Sequence, residues 1–470
     1  TGGTDGTGSP GCGGYGRLPA PKEITEKEML AIHASGLTTP RPKHILAVEA
    51  QIIIHPMSTF RRWLVMACLC LSGGIIYLLP FLREVYYLPL QKALQVSNTQ
   101  LGVLMSAFGT AALISYFPGG WLADRISPRK LITLSMMATG ISGLYFATFP
   151  SYAVSIVIHG FWGISCTLTF WGALIKATRN WAPRTEQGRA FGILEGGRGI
   201  AELASSMALL TLFAKLGSGR LALSWVILLF SVTDILIGLM AWRVLVDEPD
   251  GQNEQKDATE KVGLPQIVTV LKMPVVWLIS LVILAAYSAY WGSYYFTPYA
   301  TDVFLMSVVF GGAIGVGKMA VKPLSALGAG FLADRAGASR TISWCFSILI
   351  ISFGVFVLTP GRPSLVIILI VNTAIASLAI FALRGIYFAL LEEGGVPLIV
   401  TGTAAGIVSV AGYTPDIFMP MLGGVLLDRH PGGLGYRYLF AVVLFLCILG
   451  LLASLTIRKI HRKRTDSTPG

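Results

Sequence analysis

Charge is what this chain has least of. Only 13% of its 470 residues are Asp, Glu, Lys or Arg, while 54% are hydrophobic. Soluble domains carry about 25% charged residues, so a soluble globular protein is excluded. Metal and redox spacing is also lacking. The six cysteines (Cys12, Cys68, Cys70, Cys166, Cys345, Cys447) form no Cys-x-x-Cys pair, and five lie in or beside apolar runs, as small buried hydrophobes do. There is no His-Glu-x-x-His, no paired histidine and no Gly-rich Lys-Ser/Thr loop. Neither a membrane enzyme nor an ATP-driven pump is supported, and no cofactor or metal is expected. The net charge of +12 does not mean nucleic acid. The cations cluster in loops between apolar runs, as membrane topology requires.

What is present is a series of such runs. Twelve apolar segments, at about 63–82, 101–123, 131–149, 152–175, 190–214, 221–243, 275–298, 304–333, 341–359, 363–390, 400–427 and 436–457, are long enough to cross a bilayer. They predict an all-α membrane protein with twelve transmembrane helices in two pseudo-symmetric six-helix bundles. The bundles are expected over 57–246 and 273–458, with a cytoplasmic linker at 247–272 and a basic tail at 459–470. Residues 1–56 differ from the rest. They begin Gly- and Thr-rich, and Met57-Ser58-Thr59-Phe60-Arg61-Arg62 reads like a natural start. A disordered or non-native extension is expected there. The Lys/Arg bias of the loops predicts cytoplasmic termini in a cell (inner) membrane. The loop with Glu392 and Glu393 is an exception, having no cation.

The halves repeat. Gly119-Gly120-Trp121-Leu122-Ala123-Asp124-Arg125-Ile126-Ser127-Pro128-Arg129-Lys130 joins the second and third segments. Gly330-Phe331-Leu332-Ala333-Asp334-Arg335 follows the eighth. An Asp at such a turn can accept hydrogen bonds from free helix N–H groups.

Ionisable residues inside apolar segments are costly and mark function. In the fifth segment, offsets of three and four put Glu195, Arg198 and Glu202 on one helical face. Lys318 and Lys322 lie one turn apart in the eighth, Arg384 in the tenth, and Asp416 in the eleventh beside Tyr413. Lys322, read as lying near a membrane surface, is expected to snorkel. Tyr287, Tyr290, Trp291 and Tyr294 form an aromatic stripe in the seventh. A substrate site of Arg198, Lys318, Arg384, Tyr290, Tyr294 and Tyr413 is expected, with Glu195, Glu202 and Asp416 as proton-coupling groups. Cations from both halves suit an anion such as a carboxylate, sulfonate or phosphate.

Twelve spans in six plus six, with Gly-x-Leu-x-Asp-Arg loops after spans two and eight, resemble the major facilitator superfamily. The resemblance implies alternating access, in which the halves rock about a central site. It also implies that Asp124, Arg125, Arg129 and Lys130, with Asp334 and Arg335 as the weaker copy, clamp the cytoplasmic ends in the outward-facing state. Ser127-Pro128 replaces the Gly usual in that motif. The Arg patterns of drug–proton antiporters, nitrate porters and organophosphate antiporters do not carry over. Gly188–Gly199 and Gly412–Gly435 are most similar to a bacterial organic-anion and sugar-acid permease branch. The expectation is a monomeric secondary transporter, with a small organic anion, a proton and the lipid bilayer as its partners and no nucleic acid. The alternatives are an efflux antiporter for a hydrophobic or cationic compound, and a transporter-like ligand sensor.

Overall fold

The computed structural model describes residues 59–182, 186–246, 264–397 and 400–467. The expected extension at 1–56 and linker residues 247–263 lie outside the described residues. The described chain is a succession of helices that cross the membrane twelve times. Nine of these crossings are long and apolar enough to qualify on composition alone. The other three are the first span, which is broken, the third (Pro128–Phe146), with Arg129 and Lys130 in its first turn, and the fifth (Gln187–Lys215), which carries the internal charges. Even-numbered crossing places both described ends on one side, called here the terminal side. Large side chains such as Ile114, Val157, Leu221 and Ile351 are exposed. In a bilayer they face lipid.

The first span departs from expectation. It does not end at 82. Thr59–Ile75 is followed by turns over 76–82 and then by a second helix, Arg83–Leu94. The charged pair Arg83-Glu84 looks like an outer boundary in the sequence, yet both side chains are buried. The fourth span also has an irregularity. Tyr152–Ile164 and Gly172–Trp181 are joined by a π-helical stretch, Ser165–Trp171. The linker's described part is a short helix, Leu264–Leu271, and the twelfth span runs unbroken from Gly433 to Ser467, through most of the basic tail.

Capping fixes where the spans begin. Ser97 and Gln100 form a reciprocal capping box at the start of the second span (Asn98–Arg125). Ser127 caps the third, its hydroxyl accepting from the Lys130 amide at 3.4 Å, with Pro128 in the first turn. The Ser-Pro that replaces glycine in the loop thus starts a helix directly. The ninth span (Ala338–Leu358) is capped from outside its own segment. The Glu393 carboxylate accepts from the amides of Ala338 and Ser339. That explains an acidic residue on an otherwise basic side.

The two halves meet along the side remote from the termini. Glycines there touch the opposite half. A Cβ on Gly315 would meet the Glu84 carbonyl oxygen at 2.7 Å, and one on Gly312 the Val85 carbonyl at 3.1 Å. Gly102 and Gly109 abut the backbone of the eleventh span (Thr401–Gly412 and Pro415–Arg429), and Gly424 abuts that of the second. On the terminal-side ends of the second, eighth and eleventh spans, Gly120, Gly328 and Gly406 have nothing within 4 Å among the described residues. The halves are closed at one end and parted at the other.

Candidate functional site

The eighth span (Val308–Ala336) places Lys318 about 15 Å along its length, near the mid-plane of a bilayer about 30 Å thick. Its ammonium lies 2.6 Å from the Glu84 carboxylate, and the two side chains are 1% and 7% exposed. Lys318 also donates to the Ser293 hydroxyl at 3.0 Å. Glu84 sits at the head of the second helix of the broken first span, and its carbonyl accepts from Thr297 at 2.7 Å. This ion pair crosses the interface between the halves. Removing one partner of such a buried pair costs roughly 3–5 kcal/mol, because the other charge is left unsolvated. Glu84 was not foreseen as a site residue. The signal was available: the ten residues after it include Val85, Tyr86, Tyr87, Leu88 and Leu90, which continue the apolar run.

The seventh span (Pro274–Ser293, continued by Phe296–Asp302) supplies the aromatic stripe. Successive rings touch. Tyr287 and Tyr290 have centroids 5.8 Å apart, Tyr290 and Tyr294 5.2 Å, and Trp291 stacks on Tyr294 at 4.7 Å. The hydroxyls of Tyr290 and Tyr294 are hydrogen-bonded at 2.8 Å. Two cations flank this stripe. Lys318 lies 4.3 Å from the Tyr294 ring and 5.7 Å from Tyr290. From the tenth span (Val366–Ile386), Arg384 lies 4.0 Å from the Tyr290 ring and 5.1 Å from Tyr287, and donates to the Tyr287 hydroxyl at 3.4 Å. Among the described residues Arg384 has no carboxylate partner. Tyr413 closes the cage from the eleventh span, with its ring 4.5 Å from Tyr287 and its hydroxyl 3.2 Å from Tyr387. Tyr116 of the opposite half approaches Tyr413 at 6.3 Å.

Arg198 stands apart from that cage, on the other half. It is paired with Glu195 one turn earlier, donates to the Gly73 carbonyl at 3.1 Å and lies 5.3 Å from the Trp171 ring. Gly73 leaves the space it needs, since a Cβ there would come within 2.8 Å of the Arg198 chain. Glu202 shares the expected face, but its partner is Lys322 of the other half, at 3.3 Å. Lys322 therefore does not simply snorkel: opposite charges across the interface hold it. Asp416 accepts from the Trp291 indole at 2.6 Å. Of the expected cations, Lys318 and Arg384 converge on Tyr290, while Arg198 keeps to its own half. His159 is buried against the Ser155 carbonyl at 2.8 Å, a structural role.

Of the loop residues expected to form a clamp, Arg125, Arg129 and Lys130 make contacts within their own half. Arg125 stacks on Trp121 at 3.9 Å, and Arg129 stacks on Trp242 and donates to its carbonyl at 2.7 Å. Lys130 begins the third span by donating its amide to Ser127. Asp334 and Arg335 are exposed. The side chain of Asp124 lies outside the described residues. The latch that is formed lies at the opposite end. Asp428 accepts from the amides of Asn98 and Thr99 and from the Asn98 side chain, joining spans eleven and two.

Twelve crossings in two halves, closed at one end around a mid-membrane charge pair, match a known family. The family model described as Major Facilitator Superfamily covers residues 62–413. The chain belongs to the major facilitator superfamily. It is similar to the inner membrane protein YqcE of Escherichia coli (strain K12), with 30% identity over 88% of this chain and 98% of that protein. It is also similar to the inner membrane protein YihN of the same organism, with 27% identity over 87% and 99%. More distant relatives include the probable nitrate/nitrite antiporter NarK1 of Thermus thermophilus, 25% identical over 72% of this chain and 74% of that one. The probable sulfoacetate transporter SauU of Cupriavidus necator is 24% identical over 36% and 40%. Among solved structures, a bacterial homologue of the human lysosomal transporter Spinster superposes with a TM-score of 0.69 at 17% identity, over 86% of this chain and 99% of that one. That likeness concerns the fold.

Proposed function

We propose that this major facilitator transporter moves a small organic anion, such as a sugar acid or sulfonate, across the inner membrane by alternating access with proton-coupled symport. Arg384 carries the reading. It is a guanidinium in the membrane interior, held against Tyr290 and Tyr287, with no carboxylate within ion-pair distance among the described residues; Asp416 acts on it only from farther off and is bound to Trp291. An intramembrane charge is expensive unless something answers it, and an Arg fork suits a carboxylate or sulfonate. Tyrosine hydroxyls beside it can hydrogen-bond the rest of a polar solute. The relatives named for nitrate/nitrite and sulfoacetate support an anion. With the basic loops inside, the parted end opens to the cytoplasm and the conformer is inward-open. The stacking of Arg125 on Trp121 and of Arg129 on Trp242, both of their own half, accords with that state.

The test is uptake by purified protein in liposomes. Sugar acids and sulfonates, screened first by thermal shift, should be accumulated under an inward proton gradient, and cationic compounds should not compete. Arg384→Ala should lower uptake at least tenfold while the protein remains folded. Uptake by that variant at the unaltered rate would remove Arg384 from the site, and cationic competition would overturn the anion assignment.

A further inference from the structure

The Glu84–Lys318 pair does more than hold two buried charges. It is sealed at the closed end, at mid-membrane, and its members belong to different halves. Opening that end moves the eighth span away from the first, so the pair has to part. Parting it unaided would leave a carboxylate and an ammonium without their counter-charges. One proton and one anion solve both problems together. A proton on Glu84 makes it neutral, and a substrate carboxylate or sulfonate takes its place beside Lys318. The sum of charges in the gate is then the same in both conformers.

We propose that Glu84 is the proton-carrying residue of the transport cycle and that Lys318 is shared between Glu84 and the anionic substrate. The proton comes from the outer solution, adds to a Glu84 carboxylate oxygen and leaves from the same atom toward the cytoplasm when the pair re-forms. The Lys318 ammonium keeps its protons throughout. The inference rests on the anion reading for the second half of the exchange only.

The surroundings of Glu84 suit this role. From the seventh span, Tyr294 and Tyr290 face Lys318, and Ser293 binds it. Ser293 can hold the ammonium in place while its acceptor changes. On the eighth span the next charge is Lys322, already answered by Glu202 of the fifth. From the tenth, Arg384 lies on the same Tyr290 ring. On the first span, Arg83 points elsewhere, over the rings of Tyr87 and Tyr295 at 4.9 and 5.1 Å, and adds a positive charge that does not change between conformers. No second carboxylate competes for Lys318 within ion-pair distance among the described residues. Thr297 of the seventh span holds the Glu84 backbone from the opposite half, so opening breaks that bond as well.

The proton half of the exchange can be read without substrate, in chloride buffer, where water and salt reach Lys318 once the closed end parts. Lys92 and Leu305 are exposed and lie on opposite halves near the closed end. The described cysteines are all buried, so with Cys12 replaced by Ser, spin labels can be directed to Lys92→Cys and Leu305→Cys in protein held in lipid nanodiscs. In the wild type the label distance should lengthen as the pH falls. Glu84→Gln should show the long distance at every pH. Should that variant fail to fold, Glu84→Gln/Lys318→Gln removes both charges and should likewise lose its pH response. A wild-type distance indifferent to pH, or a variant that responds as the wild type does, would overturn the proposal. Counterflow of D-glucuronate and of a sulfonate keeps the two readings apart. A protein whose gate answers to pH but which carries neither anion retains the Glu84 assignment and loses the anion one.

Discussion

Asp428 caps a helix that begins 330 residues earlier in the chain. Its carboxylate accepts from the Asn98 amide at 3.0 Å, the Asn98 side chain at 2.9 Å and the Thr99 amide at 2.7 Å. The N-terminus of the second span is where a negative charge is favoured, and here the other half supplies it. Opening of the closed end would break the contact.

Asp428→Asn should therefore favour opening. Charge-assisted hydrogen bonds are stronger than neutral ones, but this group is exposed and screened. The closed conformer should lose about 1 kcal/mol, or roughly fivefold in population. The label pair at 92 and 305 measures it. An unchanged distance distribution at low salt would show that the latch contributes nothing.

Close packing sets a larger effect nearby. A Cβ on Gly424 would meet the Asn98 carbonyl carbon at 2.6 Å and the Thr99 Cα at 2.7 Å, both backbone atoms that cannot rotate away. Overpacking of this kind costs typically 1–3 kcal/mol. Gly424→Ala should lower the closed population by roughly five- to a hundred-and-fiftyfold and slow uptake, with little change in melting temperature, since each half keeps its own packing. A fall of several degrees with normal uptake would contradict this account.

The pair Glu202–Lys322 offers a contrast with Glu84–Lys318. It also crosses the interface, but its side chains are 23% and 34% exposed and its separation is 3.3 Å. Half-solvated pairs contribute at most about 1 kcal/mol. Glu202→Gln should change uptake by roughly fivefold at most and leave its dependence on the proton gradient intact. Loss of that dependence would move proton coupling from Glu84 to Glu202.

The spans were legible because apolar runs of bilayer length have few other uses. The aromatic stripe was legible because helical spacing alone puts Tyr287, Tyr290 and Tyr294 side by side. What the sequence concealed was pairing. Glu84 looked like the outer edge of a span because Arg83 and Glu84 interrupt the hydrophobic run. The edge is false because Lys318 neutralises Glu84 and tyrosine rings cover Arg83. Glu393 lay in a loop without cations and Asp428 just past the expected end of the eleventh segment, and each proved to cap a helix remote in sequence. Glu202 shares a helical face with Arg198, as its spacing requires, but the nearest opposite charge came from another helix. Local spacing says which face a residue occupies and is silent on what lies across from it.

The π-helical stretch Ser165–Trp171 has one further consequence. A wide turn of this kind accommodates an additional residue, and one residue corresponds to about 100° of rotation in an α-helix. Every side chain after it, including Lys176 reaching the Ala123 carbonyl, is turned by that angle relative to an uninterrupted helix. Superposing this segment on a straight counterpart therefore demands a one-residue slip between its upper and lower portions.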